Sequence, residues 1–122
     1  MPRSIANRRA EERSDIPRFI NGRIRLEAAD GRSDDFLLTD ISLSGICFET
    51  PDRLDWVAPQ TVFNSATIQI ANVTLNGGVR VLHVARVDGP GYACGAQFFP
   101  RGEEDRNQLV ELLTKLEALP QR

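Results

Sequence analysis

The stretch TVFNSATIQIANVTLNGGVRVLHVARVDGPGYACGAQFF, residues 61–99, decides the fold. Across Thr61–Ala71 the side chains alternate, with Ala66, Ile68 and Ile70 on one face, which is the two-residue period of a half-buried strand. Val79–Val87 and Tyr92–Phe99 read as further strands, the second placing Cys94, Ala96 and Phe98 together. Asn76-Gly77-Gly78, between Val73–Leu75 and Val79–Val87, tolerates positive φ and predicts a hairpin turn. Asp88-Gly89-Pro90-Gly91 predicts a second turn.

The same period extends upstream. Arg18–Glu27, with Ile20, Ile24 and Leu26, reads as a first strand containing an irregularity at Asn21-Gly22. Ala29-Asp30-Gly31 is a turn, Phe36–Ile41 a second strand, Ser42–Gly45 a tight link and Ile46–Thr50 a third strand. Pro51–Pro59 is a loop holding the single tryptophan, Trp56. Downstream the period changes: Leu109, Leu112, Leu113 and Leu116 share one helical face, Glu103, Glu104 and Asp105 suit a first turn, and Pro120 ends the pattern. A helix over 102–119 is expected to dock this stripe across an open end of the sheet. Many short antiparallel strands followed by one helix indicate a mainly β barrel or sandwich, and closure into a barrel removes exposed edges.

A chain of 122 residues suits one compact domain, and its hydrophobic content of 41% is that of a globular protein. The net charge of −2 hides a split. Residues 1–23 carry six Arg against Glu11, Glu12 and Asp15, hence +3, which leaves −5 for the rest. Residues 1–17 therefore read as a basic, flexible arm preceding a domain at 18–119. Fourteen basic residues are Arg and only Lys115 is Lys, so planar donor forks greatly outnumber point charges. No apolar run approaches membrane-spanning length and the N-terminus lacks a signal-peptide core, which together with two unmotivated cysteines, Cys47 and Cys94, points to a cytoplasmic protein with buried thiols. One histidine, His83, excludes a His-cluster metal site and reads as structural or surface. With no Cys–His or Ser–His neighbourhood, and Asp34-Asp35 reading as a solvated turn, catalysis is not expected. Polymeric nucleic acid is also disfavoured, because the body is acidic and aromatics are 7%.

Two segments carry chemistry. Arg9-Ala10-Glu11-Glu12-Arg13, with Arg8 beside it, is an RxxxR; this composition produces about 1.5 such pairs by chance, so alone it decides little. Asp40-Ile41-Ser42-Leu43-Ser44-Gly45 is a DxSxxG, expected roughly 0.03 times by chance and therefore specific. Its residues suit either a capped turn, with Asp and Ser bonding nearby N–H groups, or a binding link with close backbone approach at Gly45.

An arginine arm followed by DxSxxG on a barrel pattern resembles the PilZ domain family. Cys94-Gly95-Ala96-Gln97-Phe98 is similar to that family's late Gly-x-x-Phe strand, and the Leu-striped helix also fits. The resemblance implies a six-stranded antiparallel β-barrel with a C-terminal α-helix and a bacterial receptor for cyclic di-GMP. It implies ligand contacts from Arg9, Arg13, Asp40, Ser42 and Gly45, with Arg8 flanking, and neither cofactor nor metal. The chemistry is compatible. An Arg fork matches guanine O6 and N7 or a phosphate. An ionised Asp40 is acceptor-only and takes both N1–H and the exocyclic amine of guanine. Output is expected through ligand-induced ordering of the arm, relayed to a protein partner. The alternative is a PilZ-like adaptor that binds no nucleotide and works by protein–protein contact.

Overall fold

Alternating segments become strands in the computed structural model, which describes residues 14–15, 22–43 and 45–118. The strands are β1 (Ser14–Asp15), β2 (Gly22–Glu27), β3 (Ser33–Ile41), β4 (Gly45–Thr50), β5 (Val62–Ile70), β6 (Val73–Arg86) and β7 (Tyr92–Pro100). A helix, α1 (Glu103–Ala118), follows. Strands β3-β2-β5-β6-β7-β4 pair in that order, all antiparallel, and β4 pairs back onto β3. The result is the expected six-stranded antiparallel barrel with one C-terminal helix. The short β1 adds to β3 alone, with Ser14 opposite Ile41 and Asp15 opposite Asp40.

Inward residues of every barrel strand make one core: Ile24, Leu26, Phe36, Leu38, Ile46, Phe48, Phe63, Ile68, Leu75, Val79 and Phe98 are all buried. The helix contributes to the same cluster through Leu109, Leu112 and Leu116, while Leu113 is only partly buried. Burying three leucines removes each from water at about 1.5–3 kcal/mol, which holds α1 on the barrel. It packs against β6, β7 and β1.

One turn expectation is corrected. Asn76-Gly77-Gly78 is not a hairpin turn but lies inside the 14-residue β6. The chain reverses five residues earlier, at Ala71-Asn72 between the paired Ile70 and Val73, with Ala71 at φ 54°. The glycines serve close packing instead. A Cβ on Gly77 would collide with the Phe99 carbonyl oxygen and stand 3.0 Å from two carbons of the Phe98 ring. Asn76 anchors the helix start: its N–H donates to Asp105 Oδ1 at 3.0 Å, and its carbonyl accepts from Arg101 N–H at 2.8 Å. The second turn forms as expected, with Gly89 and Gly91 at positive φ.

Smaller expectations also change. The first strand is described from Gly22 onward, and residues 18–21 lie outside the described residues. Asp34 and Asp35 belong to β3 rather than to a turn, and Asp35 pairs with Arg25 across to β2 at 3.2 Å. Cys94 is buried but Cys47 is only half-buried, because odd positions of β4 face outward. At the end of the barrel where β3 begins, Trp56 folds over the core, its ring 6.1 Å from Phe36 and 6.0 Å from Phe63. Arg32 lies 5.8 Å above the Trp56 ring and pairs with Asp30 and Asp55. Among the described residues no helix is long and apolar enough to cross a membrane.

Candidate functional site

The DxSxxG segment lies at the other end of β3, where it turns into β4. A strict alternation from Phe36 and Leu38 would aim Asp40 into the core. The strand instead slips by one residue: Leu38 opposes Phe48 and Asp40 opposes Cys47, which leaves Thr39 as a bulge. Its hydroxyl donates to the Cys47 carbonyl at 3.1 Å. The bulge puts fully buried Ile41 inside and half-buried Asp40 on the outer face. Bulges commonly re-aim a side chain beside a site.

Ser42 closes the link. Its N–H donates to the Gly45 carbonyl at 2.8 Å, its Oγ accepts from Gly45 N–H at 3.1 Å, and its hydroxyl lies 3.3 Å from the same carbonyl. At 3% exposure, Ser42 is a buried staple, so the capped-turn reading holds at this position. Gly45 starts β4 opposite Gln97 of β7. The structure therefore brings Asp40, Ser42 and Gly45 together on one strand link. Arg8, Arg9 and Arg13 lie outside the described residues, as does Ser44. The described residues begin immediately after Arg13, at Ser14–Asp15, and that pair is bridged to Asp40–Ile41 of β3.

Three neighbours were not selected by sequence reasoning as ligand residues. Cys47 sits directly beside Asp40, Gly95 beside Cys47, and His83 beside Gly95, each on the next strand. On the inner side of β7, burial first, then the neighbouring Cys47, pushes the Cys94 thiol up to about 11, against a lowering hydrogen bond with Thr50. Cys94 is consequently a protonated core residue at neutral pH. Groups of three or more potential metal ligands are absent among the described residues.

The PilZ domain model matches residues 7–115, most of the chain and both motifs included. The chain belongs to the PilZ domain family. Solved PilZ-type structures share its fold. It superposes on the K. pneumonia MrkH–c-di-GMP complex with a TM-score of 0.80 at 18% identity, covering 96% of this chain and 52% of that one. For the PilZ domain of YcgR from Escherichia coli with c-di-GMP the values are 0.75 and 17%, with 90% and 92% covered. For the Bacillus subtilis inhibitor of motility, MotI/DgrA, they are 0.71 and 12%, with 100% and 55% covered. This PilZ chain thus spans about half the length of the MrkH chains it matches. No curated protein sequence matches it.

Proposed function

We propose that this PilZ chain is a receptor for cyclic di-GMP, with Asp40, Ser42 and Gly45 forming one wall of the site and Arg8, Arg9 and Arg13 the other. The observation that carries the reading is the pairing of Ser14–Asp15 with Asp40–Ile41. It tethers the residues that follow RxxxR in the sequence to the strand carrying DxSxxG. Membership of a family whose solved relatives include c-di-GMP complexes supports the same ligand.

In this reading Asp40, aimed outward by the Thr39 bulge, accepts from the N1–H and amino group of a guanine. The arm arginines place their forks on the second edge of a guanine and on a phosphate. Ser42 acts chiefly by holding the link in shape, and Gly45 keeps the backbone close to the ligand. Adenine offers no such pair of donors, so cyclic di-AMP leaves the carboxylate poorly matched and binds far more weakly. Closing the arm over the site costs ~1–2 kcal/mol per ordered residue, which the ligand's contacts must exceed. The helix α1 touches β1 as well as β6 and β7, so ordering of the arm alters a surface to which α1 contributes. We assign the relay to a protein partner to that surface.

Dye-monitored melting tests the reading. Cyclic di-GMP at 100 times its Kd adds ~2.7 kcal/mol of stability and raises the melting temperature, whereas cyclic di-AMP at equal concentration does not. The engagement of the Ser42 hydroxyl within the link is the one observation that favours the nucleotide-free adaptor. Melting that ignores both nucleotides establishes the adaptor instead.

A further inference from the structure

The outer face carries a single cross-strand row that runs from β3 to β6. Asp40 opposes Cys47, Cys47 opposes Gly95, and Gly95 opposes His83. Both ends of the row are made by bulges. At one end Thr39 re-phases β3 and turns Asp40 outward. At the other, β6 slips between Val81 and His83, with Leu82 the extra residue. Val79 and Val81 are fully buried, so strict alternation would send His83 inward after them. The Leu82 bulge puts His83 on the exposed face and gives the inward position to Val84, opposite buried Cys94. Two strands, each broken by one residue to bring a polar side chain into one row, fit the use of bulges beside a site.

The middle of the row fits the same purpose. A Cβ on Gly95 would collide with Cε1 of His83 and lie 2.6 Å from Nε2 and 3.0 Å from Nδ1. The imidazole therefore rests over Gly95, covering a glycine that is itself buried, while the residue remains exposed. Three strand spacings of about 4.8 Å put the His83 backbone roughly 14 Å from that of Asp40. The ring leans back over β7 and shortens that gap by about one spacing. A ligand with one base on Asp40 thus has an aromatic contact within the reach of its other half.

We propose that His83 is a stacking platform for the second base of the cyclic dinucleotide, seated over Gly95 in the space a Cβ would fill and turned outward by the Leu82 bulge. The proposal rests on the cyclic di-GMP reading above. Imidazole faces stack on nucleobases, as do other aromatic side chains, and one such contact contributes a factor of about 5 to 150 in affinity. Cys47 forms the floor between the two ends of the row.

Titrations of the full chain with cyclic di-GMP test this. His83→Ala weakens binding at least fivefold, and His83→Phe, which keeps a flat face, retains most of the affinity. Gly95→Ala pushes the ring off its seat and weakens binding in the native background, but has no further effect when combined with His83→Ala. Nuclear Overhauser contacts between the His83 ring and ligand base protons appear on saturation. Unchanged affinity in His83→Ala, equal loss in His83→Phe and His83→Ala, or a full Gly95→Ala penalty in the His83→Ala background each overturns the proposal. If Gly95→Ala does not fold, the ring-to-base contacts decide: their absence overturns it. Normal binding by His83→Ala beside a large loss in Asp40→Ala removes only the platform. A native chain that binds no cyclic di-GMP removes the receptor reading, and the platform with it.

Discussion

The two ends of β3 differ in what they do with polar residues. At the start of the strand, Arg32, Asp30, Asp55 and Trp56 have the ingredients of a ligand site: a guanidinium, two carboxylates and an indole. Yet they spend these groups on one another. Arg32 lies 2.8 Å from Asp30, 3.3 Å from Asp55 and 5.8 Å above Trp56, which in turn closes the aromatic core through Phe36 and Phe63. At the other end a plain-looking link turns Asp40 outward through a bulge, and β1 comes to lie beside it. Chemically suggestive composition at one end is scaffold, and the end that carries the candidate site is built by register.

That contrast predicts separable effects on stability and on binding. The largest belongs to the capped end: Phe63→Ala, at 1% exposure beneath Trp56, lowers unfolding stability by ~3–5 kcal/mol in urea titrations while the folded fraction keeps its affinity for cyclic di-GMP. Next is Gly77→Ala. Its Cβ meets the Phe99 backbone oxygen, so the strand must shift, at a cost of ~1–3 kcal/mol seen in the same assay. Asp40→Ala acts on binding, weakening it more than tenfold, or ~1.4 kcal/mol. If Asp40→Ala costs stability and leaves binding intact, the two ends have been assigned the wrong way round.

The smallest effect is a pH term at the capped end. The Arg32 side chain, then its backbone N–H, lowers the pKa of the exposed Asp30 carboxyl below the ordinary carboxylate value of 3.8. A depressed folded-state pKa contributes stability above the unfolded value, which is lost as pH falls through the folded one. Arg32→Ala therefore flattens the acid limb of a stability–pH curve slightly and leaves ligand affinity unchanged.

The strands and the helix were legible because burial follows a period of two in β2, in β5 from Ala66 to Ile70 and in most of β7, and a Leu stripe in α1. Asn76-Gly77-Gly78 was misread because a glycine that admits positive φ and one that admits a neighbouring backbone are the same letter. The real turn, Ala71-Asn72, carries no glycine to announce it. The bulges at Thr39 and Leu82 were also silent, since Thr and Leu are ordinary strand residues and the register slip is decided by which neighbours pack inside. Of the candidate site, Asp40, Ser42 and Gly45 were legible as one contiguous motif. Cys47, Gly95 and His83 were not legible as part of it, because only the pairing of four strands brings them alongside Asp40.

The most direct test of the central claim is isothermal titration of the native chain and Asp40→Ala with cyclic di-GMP. The account predicts saturable binding by the native chain and more than tenfold weaker binding by the folded variant. No heat of binding from the native chain at tens of micromolar ligand, or equal affinity in the two proteins, contradicts it.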